Sequence, residues 1–103
     1  MGLLSPELEY VLPPLRSQDG DAEPMVYAHF LVPDHPWSYY VTEGQRQGRE
    51  YTFFGFLLGS EEEQDWRWTT EQLSDLERLL DGRVVRDETF APGRLTDVVV
   101  LPL

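Results

Sequence analysis

Two histidines, five serines and nineteen carboxylates carry the side-chain chemistry open to this chain of 103 residues. It has no cysteine, and its eight basic residues are all arginine. Thiol nucleophiles, disulfides and cysteine-ligated zinc are therefore excluded, as are Schiff bases and a phosphate-loop lysine. A metal centre needs several ligands converging on one point, and Asp34-His35 is the only local cluster that tempts. His29 falls in an alternating run and is expected as a hydrogen-bonded sheet residue. His35 stands between Pro33 and Pro36 and is expected in water. The serines lie in no Gly-x-Ser-x-Gly context, and no Gly-x-Gly-x-x-Gly loop exists for a dinucleotide. Glu61, Glu62, Glu63 and Asp65 form a run at a turn, where water would solvate all four. General acid–base work would instead need two carboxylates in unlike environments within a cleft. No calcium-loop ladder is present. The expectation is a non-enzymatic chain with no catalytic residue, no metal and no cofactor.

What remains is charge and aromatic surface. The formal net charge is −11, which argues against phosphate backbones and anionic membranes as direct partners. Trp37, Tyr39, Tyr40, Tyr51, Trp66 and Trp68 all fall on predicted strands. One helix can cover only one face of a sheet, so some of them are left for a second layer or an interface. The spacing of Trp66 and Trp68 puts both on one face beside the acidic turn. Exposed aromatic rings next to charge are the material of binding hot spots.

The elements that would hold these residues can be read from periodicity. Ser5 caps, and Pro6 starts, a helix of about two turns that Pro13-Pro14 ends. Residues 16–24 are polar, lack an apolar period and read as a flexible linker. Period-two runs follow over residues 25–32, 37–43, 50–58 and 65–69, with a polar hairpin loop over 44–48. Thr69 and Gln72 have the spacing of a capping box that opens a helix over 70–80, with Leu73, Leu76, Leu79 and Leu80 as its apolar stripe and Gly82 as its stop. Short strands over 83–87 and 97–103 complete the chain. The predicted fold is α+β, a four- to five-stranded mostly antiparallel sheet with one main helix on one face and a short N-terminal helix. The organisation is a helix within 1–15, a linker over 16–24 and one domain over 25–103. No apolar run is long enough to span a bilayer, and the expected location is the cytoplasm.

Several local patterns recur together over residues 25–95. A strand ends in Pro33-Asp34, and an aromatic strand ends in Thr42-Glu43. Phe53-Phe54-Gly55-Phe56-Leu57-Leu58-Gly59 follows, then an acidic turn and Thr70-Glu71-Gln72-Leu73-Ser74-Asp75-Leu76. Arg86-Asp87, two residues and Phe90 close the set. In these features the chain resembles the domain of unknown function 2958 family, small proteins of bacterial chromosomes and mobile elements. That family brings no established activity, and its mobile-element association implies a defence, counter-defence or maintenance role.

Charge, aromatics and resemblance together lead to the expectation of an acidic protein-binding module. Its partner would be a protein with a basic surface, such as a nuclease of a CRISPR or restriction system whose nucleic-acid site it occupies as a DNA mimic. The candidate contact residues are Glu61, Glu62, Glu63, Asp65, Trp66, Trp68, Arg86 and Asp87. The alternative is a homo-oligomeric accessory protein, a homodimer for instance, pairing its own aromatic face. For Arg86 and Asp87 the competing structural reading is that they leave a strand, with Asp87 or Glu88 bracing the following turn while Phe90 plugs the core.

Overall fold

The structure is a computed structural model that describes residues 2–99. The fold is α+β. Its elements are α1 (Pro6–Val11), β1 (Met25–Val26), β2 (Ala28–Leu31), β3 (Ser38–Gln47), β4 (Glu50–Leu58), β5 (Trp66–Gln72), α2 (Leu73–Arg78), β6 (Val85–Arg86), β7 (Gly93–Arg94) and α3 (Leu95–Val98). Five strands form an antiparallel sheet in the order β5-β4-β3-β2-β6, and β1 pairs with β7 in a separate ribbon.

Strand alternation sorts the apolar residues between the two faces of the sheet. On one face, Phe30, Tyr39, Val41, Phe53 and Leu57 are buried beneath Leu8 and Leu12 of the α1 segment and Leu76 of α2. On the other, Tyr40, Leu58, Phe56 and Trp66 pack with Val26, Phe90, Leu95 and Val98. Trp37, Tyr39 and Tyr51 thus belong to the helical side, and Tyr40 and Trp66 to the ribbon side.

α1 begins as expected, with Ser5 Oγ accepting from Leu8 N at 3.1 Å and Pro6 in the first turn. α2 does not. Residues 69–72 continue β5, with Thr69 opposite Gly55 and Thr70 opposite Phe54. The two β-branched residues favour the pleated ladder, whose hydrogen bonds outnumber those of a capping box. Thr69 Oγ1 bonds Glu71 instead, 3.0 Å away. Cap duty passes to Glu50 on β4, which accepts from Ser74 N at 3.1 Å and from Ser74 Oγ at 2.6 Å. Beyond Arg78 the chain tightens into a 3-10 turn, Leu79–Gly82, with Leu80 and Asp81 at positive φ.

β3 is longer than its pattern suggested, because residues 44–47 stay in the ladder rather than forming a loop. Gly44 makes that possible: a Cβ there would lie 2.6 Å from Tyr51 Cε1 and 2.9 Å from Leu12 Cδ1. A β-bulge lies between Val41 and Glu43, with Thr42 as the extra residue. Residues 95–98 are helical in α3, although the apolar pattern from residue 97 onward predicts a strand. Residues 100–103 of that predicted strand lie outside the described residues.

The segment 16–24, read from sequence as a flexible linker, is a series of turns bonded to the sheet. Gln18 Nε2 donates to Met25 O at 3.0 Å and to Thr42 O at 2.9 Å, while its Oε1 accepts from Met25 N at 2.7 Å. Among the described residues, no helix is long and apolar enough to cross a membrane.

Candidate functional site

The acidic turn precedes β5. Glu61, Glu62 and Glu63 are exposed, and the 3-10 turn Glu63–Asp65 carries the chain into the strand. Asp65 differs from its neighbours. Its carboxylate bonds Ser60 Oγ, and its carbonyl accepts from Gly59 N at 3.2 Å. It closes the turn, while the three glutamates supply the free charge.

Trp66 and Trp68 share the sheet face away from α1 and α2, as their spacing requires. Their fates differ. Trp66 is half-buried in the ribbon-side cluster, and its indole Nε1 is buried without a hydrogen-bond partner. Trp68 is 41% exposed. Its ring stacks on Phe54 with centroids 5.4 Å apart and planes at 9°, and meets Phe56 edge-on at 5.4 Å. The indole is thus held rigidly with one flank in solvent, the posture of an aromatic anchor.

Arg86 and Asp87 lie elsewhere. β6 and β5 are the two opposite edges of the sheet, so this pair does not join the acidic turn in one patch. Arg86 NH1 donates to Ser5 Oγ at 2.9 Å, tying the α1 cap to β6. Asp87 Oδ1 accepts from Thr89 N at 3.0 Å and Thr89 Oγ1 at 2.7 Å, and Asp87 N donates to His29 O at 2.9 Å. The Asp87 side chain braces the turn that delivers Phe90 to the ribbon-side cluster, while that of Arg86 holds the α1 cap.

Beside Trp68, the chain builds a cleft that no local pattern announces. The 18–24 turns stand over the aromatic face and leave an open space of about 350 Å³, floored by Phe54, Trp68 and Leu95 and rimmed by Asp19 and Asp21. Glu43 forms its back wall. The bulge at Thr42 turns Glu43 to this side, where its carboxylate is 2% exposed and accepts from Arg16 N at 2.6 Å and Gln18 N at 2.8 Å. Among the described residues no cationic nitrogen lies within 4.0 Å of it. Asp19 pairs with Arg16 at 3.1 Å, and Asp21 lies 3.6 Å from Arg94 NH1, both in exposed geometry. A second hollow, lined by Leu15, Arg16 and Thr70, shares Asp19, Glu43 and Phe54 with the first. The arrangement suits a flat cation, with aromatic rings below it and carboxylates at the rim and back.

A carboxylate, an imidazole and a hydroxyl also line up across the sheet. His29 Nε2 is 3.0 Å from Ser38 Oγ, and Nδ1 is 3.6 Å from Asp87 Oδ2. The ring lies flat on Tyr40, centroids 4.4 Å apart. Burial chiefly pushes the imidazole below its ordinary pKa, opposed by Asp87. Hydrogen bonds from Thr89 hold the Asp87 carboxyl below the usual range. Ser38 sits in an ordinary rung between Leu31 and Leu58, not on a turn that would present its oxygen. The series satisfies polar atoms on a half-buried face, in keeping with His29 as a sheet residue.

His35 accepts from Trp37 N through Nδ1 at 3.1 Å, bracing its own turn. Among the described residues no three His, Asp or Glu side chains gather as a metal site. Comparison with family models, with curated proteins and with solved structures finds no match to this chain.

Proposed function

We propose that this protein is a non-enzymatic binding module for a protein partner with a basic surface. The observation that carries the reading is the rigid, solvent-flanked Trp68 on the same strand that follows the exposed run of Glu61, Glu62 and Glu63. An aromatic anchor beside concentrated charge provides tight local contact and long-range attraction at one place. A net charge of −11 on a chain this small supports a narrower form of the reading, in which the partner is a nuclease and the acidic surface imitates the field of duplex DNA. A cytoplasmic setting and a counter-defence role on a mobile element belong to the same proposal.

The test is kinetic. With a partner isolated from host lysate, the on-rate should fall steeply with salt, since screening shortens the reach of surface charge to about 8 Å at physiological ionic strength. Replacing Glu61, Glu62 and Glu63 by Gln should lower the on-rate, while Trp68→Ala should raise the off-rate. An on-rate indifferent to both salt and the glutamates would overturn the reading. Self-association is the second reading, favoured by one observation: among the described residues β5 pairs only with β4, so its outer edge is open. Light scattering on the purified protein separates a monomer from a dimer.

A further inference from the structure

Glu43 poses a problem of charge. A carboxylate taken out of water needs hydrogen bonds and, in most cases, a cation. Glu43 has the first and lacks the second. Two backbone N–H groups hold its oxygens, yet among the described residues no arginine or histidine nitrogen approaches within 4.0 Å. The uncompensated charge faces an open cleft rather than a closed core. The rim repeats the sign, because Asp19 and Asp21 stand there and no basic side chain lines this cleft. The floor is the Phe54–Trp68 stack.

Those features select among cations. A metal ion would want several oxygens converging at short range, and both Glu43 oxygens already point at backbone N–H groups. An ammonium could use the charge but would gain little from a wide aromatic floor. A guanidinium is planar and weakly hydrated. It stacks on an indole and presents a fork of N–H donors to carboxylates. The chain's own cations show the same preference for a carboxylate rim: Arg16 pairs with Asp19 at 3.1 Å and Arg94 reaches Asp21 at a looser 3.6 Å, both in exposed geometry.

Resting on the reading of this protein as a module for a basic partner, we propose that the cleft receives an arginine side chain of that partner. The guanidinium lies over Trp68, its N–H groups directed to Asp19 and Asp21, with the Glu43 charge behind. The acidic turn at residues 61–63 then steers the encounter, and the cleft fixes where one arginine ends up. Specificity for arginine over lysine follows from the stack.

The experiment uses the full chain, labelled with 15N, and three probes: acetyl-Gly-Arg-Gly-amide and its lysine and citrulline counterparts. The arginine peptide should shift the Trp68 indole N–H and the amides of Gly20 and Asp21. The lysine peptide should bind several-fold more weakly, and the citrulline peptide, with the same shape and no charge, should leave these signals in place. Trp68→Ala should weaken the arginine peptide by about five- to thirty-fold, the range of a desolvated cation–aromatic contact. The exposed pair Asp19→Asn with Asp21→Asn should also weaken it, and serves as the control variant if Trp68→Ala loses its folded spectrum. Equal responses to arginine and citrulline would make the cleft an apolar pocket and overturn the proposal. Arginine-dependent shifts confined to residues 61–65 would overturn it too, while leaving the basic-partner reading intact. No charge-dependent shift anywhere would remove both.

Discussion

Replacing Glu43 by Gln isolates the charge of the side chain that holds the cleft together. The native carboxylate accepts from two backbone N–H groups, at 2.6 Å and 2.8 Å. Glutamine keeps the shape but offers one acceptor oxygen, so one of those N–H groups must face an NH2. Hydrogen bonds to a charged acceptor contribute about 1.5–3 kcal/mol each, and an orphaned donor costs about 1–3 kcal/mol. Neutralising a buried carboxylate works the other way, since its desolvation cost disappears. The relief is the smaller quantity here, because two short bonds already solvate the oxygens. A net loss of about 1.5–3 kcal/mol is expected, lowering the melting temperature by roughly 5–20 °C for a domain of this size. Urea denaturation measures the loss. Hydrogen exchange localises it, with the Arg16 and Gln18 amides losing protection ahead of β3 and β4. A variant as stable as the native protein, or more so, would show that the buried charge is a liability and that the 16–24 turns are held by something else.

Two further outcomes follow from the same geometry. Gly55→Ala should destabilise by about 1–3 kcal/mol or more, as overpacking does, because the new Cβ would lie 2.2 Å from Tyr40 O, a backbone atom that cannot rotate away; a denaturation midpoint at or above the native one would refute the close approach of β3 and β4. Stability should also fall steadily as pH drops. Ser74 holds Glu50, and Thr89 holds Asp87, below their ordinary values, so the stability these carboxylates contribute is present above the usual carboxylate range and lost as pH falls through their folded values. His29 is held low by burial, so the unfolded chain takes its proton first below about pH 6.5, destabilising the fold in that window. His29→Gln should flatten the slope just below about pH 6.5 and spare the carboxylate region, and an unchanged slope in equilibrium unfolding would sink the assignment.

The sheet was readable because alternation is a local signal. Residues 28–31, 38–41 and 50–58 announce their faces two residues at a time, and the same rule put Trp66 and Trp68 on one side. The start of α2 was not readable from Thr69 and Gln72, because the ladder with Gly55 and Phe54 is a long-range competitor that the local pattern omits. Its true cap, Glu50, lies 24 residues before Ser74. The cleft was hidden for a similar reason. Gln18 and Glu43 are polar residues in unremarkable positions, and only the bulge at Thr42 brings the second to the first. The exposed glutamates were legible as a solvated run, whereas Asp65 became a turn brace only once Ser60 was seen beside it.

The single extra residue at Thr42 resets the parity of β3. Tyr39 and Val41 face the helices, and an unbroken count would send Glu43 after them, into the space where Leu12 and the Tyr51 ring meet. The bulge hands that position to Gly44 instead, which has no side chain to place there. Insertions and deletions in this strand are therefore not interchangeable with those in loops. Were Thr42 to enter the ladder as an ordinary rung, Glu43 would fall opposite Phe53 in the apolar layer, whereas deleting Thr42 would leave Glu43 opposite Phe54 and Gly44 opposite Phe53. A change of length is therefore least disruptive at Thr42 itself, where a deletion removes the irregularity and leaves the faces of Val41, Glu43 and Gly44 as they are.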